Sequence, residues 1–272
     1  QLAFNQLLFA LKPRNLSRYD LVVSNSHSLR PLIKAEKMIS VFHGVGLRRA
    51  AKNPSTLLLP YTLVDCLLEL FDLLFTEKIV CINKADAGFL SRLAKKTKIH
   101  VVYPGVDTDS FKPAEVENDG RKHVLFVGRT TKSKGFPRLL EAIKLLPEDW
   151  VLDVAGEPGG ESTMKVRYHG RVAKTDMPHL YNIAEVFCLP SLQEGTPLSI
   201  LEALACGTPT VATNAEGIPE ILDKDCGIII EDNNPETIAN GIQSAEGLDG
   251  ERIRKHAMDY CWEKTVERIM GL

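Results

Sequence analysis

Two short stretches of this 272-residue chain place charges where charges could do chemistry. In Phe126–Phe136 (FVGRTTKSKGF), an apolar run ends at Gly128. Arg129, Lys132, Lys134 and Gly135 follow, and then a helical run with Pro137, Leu139, Leu140 and Ile143. Glycine lets the backbone turn tightly. Cations at a strand-to-helix turn can hold a multiply charged anion such as a diphosphate. The G-x-x-x-x-G-K-[ST] spacing of a P-loop is absent, and a solvated basic turn fits this segment about equally well on its own.

The second stretch is Pro190–Val211 (PSLQEGTPLSILEALACGTPTV). Thr196 reads as an N-cap and Pro197 as the first helical residue, and Gly207 reads as the stop. The start of such a helix offers unpaired N–H groups and positive dipole character to an anion. Glu194 stands just before it. Glu202, eight residues on, sits between Leu201 and Ala203. A carboxylate in so apolar a run needs a polar partner. Sugar or ribose hydroxyls would serve, and so would a neighbouring cation.

These segments need a frame. Short apolar runs at Asp20–Ser24, Met38–Phe42, Lys78–Ile82 and Ile99–Tyr103 read as buried strands. So do His123–Val127, Val151–Ala155, Val166–His169, Val186–Leu189, Thr210–Thr213 and Gly227–Ile230. Helical or loop stretches separate them, which argues for parallel sheets built from βαβ units. Lys112–Arg121 (KPAEVENDGR) is polar, contains Pro113 and Gly120, and reads as a linker. The division is therefore 1–111, a linker at 112–121, a second domain at 122–250, and a final helix (Glu251–Ile269) within 251–272, packing back toward the first domain. Ligands of open α/β sheets sit beyond the carboxyl ends of the strands, where both charged stretches lie.

Composition excludes several classes. Hydrophobic residues make up 44% and charged residues 25%, ordinary values for a globular chain. A net charge of −2 gives no global pull on nucleic acid. The six cysteines show no C-x-x-C pair and read as buried thiols. Leu57–Phe75 (LLLPYTLVDCLLELFDLLF) is strongly apolar, but Asp65, Glu69 and Asp72 make a membrane span costly. At i, i+4 and i+7 the three acids share one helical face. The segment reads as a packed helix with a wet acidic stripe. Peripheral membrane contact is the weaker alternative, since an acidic face suits anionic lipid poorly.

With Glu194-x7-Glu202 in its P-S-x-x-E-G-x-P-L-x-x-L-E-A-L-A-C-G-T-P context, the chain resembles retaining GT-B glycosyltransferases of family 4 (glycosyl transferases group 1). Further segments fit in the same order: SVFHG (Ser40–Gly44), YPGVDTDSFKP (Tyr103–Pro113), FVGRTTKSKGF and GIPEIL (Gly217–Leu222). The resemblance implies two Rossmann-like parallel-sheet domains facing a cleft. Residues 1–19 resemble a helix from the middle of that family's first domain, so the opening strands and their glycine-rich loop are expected to be missing.

By the same resemblance, Arg129 and Lys134, on the Gly128 turn, bind the donor's diphosphate. Glu194 faces the transferred sugar, and Gly195, Thr196, Pro197 and Leu198 hold it by their backbone. Glu202 takes the ribose hydroxyls, Gly170, Arg171 and Val172 lie beside the base, and His43 comes from the opposite domain. The implied reaction moves a sugar with retention from a UDP-, GDP- or ADP-sugar to a sugar, polysaccharide or lipid-linked acceptor. No metal or cofactor is implied, and Asp107-Thr108-Asp109 is read as part of the GVDTDSFKP segment rather than as a metal motif. The location implied is cytoplasmic, with attachment at the membrane face as an option. The competing reading is a non-catalytic or truncated nucleotide-sugar-binding module.

Overall fold

A computed structural model describes residues 14–15, 18–25, 33–34, 36–53, 55 and 60–272. The helical reading of the first residues lies mostly outside these, as does the start of the 57–75 segment. The chain divides into two compact units, Gln1–Tyr103 with Arg268–Leu272, and Pro104–Glu267. This division falls ahead of the polar 112–121 segment for a physical reason. Val106 pairs with Cys261, and the Arg254 guanidinium donates to the carbonyls of Thr108 (2.8 Å) and Phe111 (2.5 Å). Residues 104–111 are thereby tied to the second unit.

In the first unit, β1 (Arg14–Asn15) pairs with β3 (Ile33–Lys34). Four parallel strands form the main sheet in the order β2-β4-β5-β6, from Val22–Asn25, Met38–Phe42, Lys78–Cys81 and Ile99–Val101. Ile39, Val80 and Val102 make one core cluster, against which Ile269 and Leu272 pack. A second cluster gathers Phe42, Ile79, Leu90 and Leu73.

Helices α1 (Gly46–Lys52), α2 (Pro60–Phe75) and α3 (Lys84–Leu90) flank this sheet. The orientation of α2 corrects the sequence reading. Its acids point inward: Glu69 and Asp72 are buried, whereas Leu63, Leu67, Leu70, Phe71, Leu74 and Phe75 are exposed. The buried carboxylates have work inside. Glu69 accepts from the backbone N–H groups of Gly46 (2.5 Å) and Leu47 (2.7 Å), capping the start of α1. Asp72 accepts from the Thr76 hydroxyl. Burial pushes the Glu69 carboxyl up to about 7.

The second unit holds a six-stranded parallel sheet in the order β12-β11-β10-β7-β8-β9. The strands are β7 (Lys122–Val127), β8 (Trp150–Ala155), β9 (Val166–Gly170), β10 (Val186–Leu189), β11 (Thr210–Thr213) and β12 (Gly227–Ile230). Strands β8, β10 and β11 are buried along their whole length, which explains their unbroken apolar runs. Helices α4 (Phe136–Leu145), α5 (Met177–Ile183), α6 (Leu198–Ala205), α7 (Pro235–Ala245) and α8 (Gly250–Ala257) complete the layers. The final helix is broken: α8 passes through a 3-10 turn (Met258–Tyr260) to α9 (Trp262–Met270). Cys261 between them is extended, at φ −67° and ψ 154°, because it pairs with Val106. All six cysteines are buried and unbridged.

Candidate active site

In the second unit the chain runs β7, β8, β9 outward and then returns to place β10 on the other side of β7. Loops leaving two such neighbouring strands diverge, and the gap they leave at the carboxyl ends is where ligands bind in this kind of sheet. The loop after β7 carries Arg129 and Lys134. The loop after β10 carries Glu194 to Pro197. The two charged stretches of the sequence are thus adjacent by topology.

Backbone contacts lock the loops together. Gly135 is left-handed at φ +69°, and a Cβ there would come within 1.9 Å of the Pro190 carbonyl oxygen, so only glycine fits. Leu192 N–H donates to the Ser133 carbonyl at 2.9 Å. Gly156, at the end of β8, packs as tightly against Gly128, where a Cβ would lie 1.9 Å from the Gly128 oxygen. Gly156 N–H in turn donates to Gly170 at the end of β9 (2.8 Å). Gly128, Gly156 and Gly170 therefore form a side-chain-free row along three strand ends. Gly170 begins the Gly170–Val172 turn at the edge of the sheet, with Arg171 exposed and Val172 half-buried.

The side chains follow. Lys134 Nζ meets Glu194 Oε1 at 2.6 Å, with the carboxylate nearly buried. Arg129 is exposed on the same loop. Among the described residues, nothing pairs with its guanidinium. Helix α6 starts one residue later than the sequence suggested: its N-cap is Pro197, with no side-chain cap, and Leu198 is the first helical residue. Thr196 does not cap the helix because it is buried beside Gly217, where a Cβ would meet the Gly195 oxygen at 1.8 Å and the Thr196 hydroxyl at 3.2 Å. Pro197 itself offers no side-chain acceptor to the first N–H groups of α6, next to Glu194. Gly207 ends the helix in the left-handed conformation, at φ +79°.

Glu202, on α6, accepts a hydrogen bond from the Tyr181 hydroxyl at 2.8 Å. Burial raises its carboxyl above the usual range, against the lowering effect of Tyr181 and of the nearby Lys174 charge. Tyr181 is fully buried, and its carbonyl accepts from Thr208. Sequence reasoning missed Tyr181, because one tyrosine on the apolar face of α5 looks like core. It also missed Gly156, whose signal was a glycine directly after a buried strand.

Two other residues make local contacts of their own. Asp107 is engaged in its own turn, accepting from Ser110 N–H (3.1 Å) and Ser110 hydroxyl (2.7 Å). These bonds hold its carboxyl below the usual range. His43 belongs to the first unit, exposed beyond the end of β4, where its Nε2 contacts the Asn25 side-chain oxygen.

Comparison with known proteins matches this frame. Residues 107–259 match the family model described as glycosyl transferases group 1. The D-inositol 3-phosphate glycosyltransferase of Xylanimonas cellulosilytica is 30% identical over 66% of this chain and 51% of its own length. The chain spans about half the length of the curated relatives it matches. Among solved structures, sucrose-phosphate synthase from Thermosynechococcus elongatus superposes with a TM-score of 0.77 at 18% identity, covering 99% of this chain and 76% of that one. Anabaena HepE, in complex with UDP and glucose, gives 0.75 at 15% identity, covering 100% and 81%. At these identities the likeness is one of fold, the GT-B fold of parallel-sheet units. With more than half of its length matched by the family model, the chain belongs to the glycosyl transferases group 1 family.

Proposed function

We propose that this protein is a family 4 glycosyltransferase that moves a sugar, with retention, from a nucleotide-sugar donor to an acceptor hydroxyl. The observation that carries the reading is the meeting of Lys134 and Glu194, on the loops after β7 and β10, at 2.6 Å. A cation suited to a diphosphate and a carboxylate suited to sugar hydroxyls then serve one donor. Arg129 and Lys134 bind the diphosphate, and the start of α6 adds N–H groups. Glu202 accepts from the ribose hydroxyls, and the Gly170–Val172 turn lies beside the base. Structural relatives crystallised with UDP and with UDP-glucose support a nucleotide-sugar as the donor class.

In the reaction, the bond between the sugar's anomeric carbon and the phosphate oxygen breaks. The acceptor oxygen bonds the same carbon on the same face, and its proton passes to the departing phosphate. Arg129 and Lys134 meet the charge that grows on the leaving group, a task metal ions perform elsewhere. We therefore assign the reaction no metal.

Donor hydrolysis and UDP, GDP and ADP binding by the purified chain test the reading, scored against Glu202→Ala. Loss of binding and hydrolysis together in the variant supports it. Hydrolysis unchanged in Glu202→Ala overturns the assignment of Glu202. Binding without any turnover identifies a nucleotide-sugar-binding module instead.

A further inference from the structure

Three side chains that the proposed reaction does not use meet within the second unit. Asp223 and Cys226 lie on the turn between a 3-10 segment (Ile218–Glu220) and β12, and His256 lies in the last turn of α8. One atom from each, a carboxylate oxygen, a sulfur and a ring nitrogen, all fall within 4.8 Å of one another. Backbone bonds shape the turn for this meeting. The N–H groups of Cys226 and Gly227 both donate to the Asp223 carbonyl at 3.1 Å, which folds the chain back on itself.

Each group is already oriented as a ligand. His256 Nε2 lies 3.0 Å from the Ile221 carbonyl. A carbonyl only accepts, so Nε2 holds the proton, and in the neutral ring the bare lone pair is on Nδ1. That atom faces Asp223 Oδ2 at 3.2 Å. Two lone pairs at this distance need a cation between them, either a proton on the ring or a metal ion. A backbone carbonyl on the far ring nitrogen is also what orients a metal-bound histidine. Asp223 is braced in the same way, since its Oδ1 accepts from Asp225 N–H at 3.0 Å and leaves Oδ2 to the cluster. Burial and a hydrogen bond to Asp223 push the Cys226 thiol up to about 12, so without a metal it stays neutral.

The donor set chooses the ion. Magnesium and calcium take oxygen ligands, whereas sulfur with imidazole suits zinc. Tetrahedral zinc holds its ligand atoms about 3.3–3.6 Å apart, close to the separation of His256 and Asp223. Thiolate and carboxylate together balance the two charges of the ion. The Asp223 side chain is 51% exposed and that of His256 23%, so solvent reaches the cluster.

We propose that Asp223 Oδ2, Cys226 Sγ and His256 Nδ1 bind one zinc ion, with water as the fourth ligand. On binding, the S–H bond breaks, its proton leaves to solvent, and the sulfur electron pair bonds the metal with no change of oxidation state. The ion clips α8 to the entry of β12. Arg254, on the same helix, holds the carbonyls of Thr108, Phe111 and Ala205, so the clip steadies the segment that α8 anchors. The role is structural, and sugar transfer by the folded chain does not require it.

The untagged full chain, stripped with chelator and titrated with zinc and separately with cobalt(II), tests this. One ion should bind per chain, zinc should raise the melting temperature, and cobalt should show the thiolate charge-transfer band of a tetrahedral site. Asp223→Asn and His256→Gln should each weaken zinc binding about a hundredfold or more and remove the rise in melting temperature, while their circular dichroism matches the parent. Cys226→Ser should abolish the cobalt band. Absence of stoichiometric zinc overturns the proposal, as does cobalt bound without the sulfur band. Zinc affinity equal in the parent and all three variants overturns it by placing the ion elsewhere. The parent's own stoichiometry and cobalt spectrum decide the matter even where a variant fails to fold, and neither depends on the donor.

Discussion

Lys134 Nζ and Glu194 Oε1 lie 2.6 Å apart, sixty residues distant in sequence and on loops from neighbouring strands. The pair makes the two residues mutually dependent. Glu194→Gln leaves Lys134 with its charge and without its carboxylate partner. UDP affinity should hold or rise in this variant, while sugar transfer falls about tenfold or more, the worth of a hydrogen bond to a charged group. Calorimetry and transfer rates measured on the same preparation check both halves. Equal losses in binding and transfer would show that Glu194 acts only as a support for the loop.

Arg129→Ala and Lys134→Ala should each weaken nucleoside-diphosphate binding by about 1–3 kcal/mol. Arg129 is exposed, so its variant should fold and melt like the parent. Titration of both variants with UDP, GDP and ADP measures the loss. Undiminished affinity in both would remove the phosphate role from this loop.

Tyr181→Phe removes a hydrogen bond that favours the ionised form of Glu202, whose carboxyl burial already raises. The Glu202 carboxyl should rise further in the variant. Because the ionised form is the stronger acceptor for ribose hydroxyls, nucleotide binding should fall more on the acid side of neutrality than on the alkaline side. Affinity profiles of parent and variant between about pH 5 and 8 report this, and parallel profiles would refute the coupling.

Glu69 sets a stability prediction. Its folded value of about 7 stands above the ordinary 4.5, so the folded state holds the proton more tightly than the unfolded one. Stability should therefore decline as pH rises from 4.5 through 7 and level off above. Glu69→Gln should flatten this slope in melting curves. It should also cost stability at low pH, because an amide cannot accept from both Gly46 and Leu47.

Transfer should persist in excess EDTA. Activity abolished by the chelator and restored by magnesium would return Asp107 and Asp109 to consideration as metal ligands.

The parallel-strand frame was legible because buried strands announce themselves. Val186–Leu189 and Thr210–Thr213 begin and end where their apolar runs do. What was illegible depends on contacts between distant residues. His123 lies between Asp153 (2.6 Å) and Asp119 (3.0 Å), and His169 reaches the other oxygen of Asp153 (2.6 Å). Only the register of three strands brings these groups together. Helix α2 was read with the right periodicity and the wrong side inward. Periodicity locates a face, but only the backbone N–H groups of Gly46 and Leu47 could reveal that Glu69 had partners inside. The break at Cys261 was hidden for a similar reason, since its partner Val106 lies far back in the chain. At the site, Glu194, Glu202, Arg129 and Lys134 stood out as charges among apolar neighbours. Tyr181 did not, because its hydroxyl is its only polar feature.

The row formed by Gly128, Gly156 and Gly170 has a mechanical corollary. With no side chain to act as a cushion, Gly156 bears directly on the main chain of Gly128, as Gly135 does on Pro190. The loop from Gly128 to Gly135 is therefore braced from two sides. Its accuracy is inherited from the sheet, so a single added methyl at Gly156 would misalign Arg129 without touching any charged group.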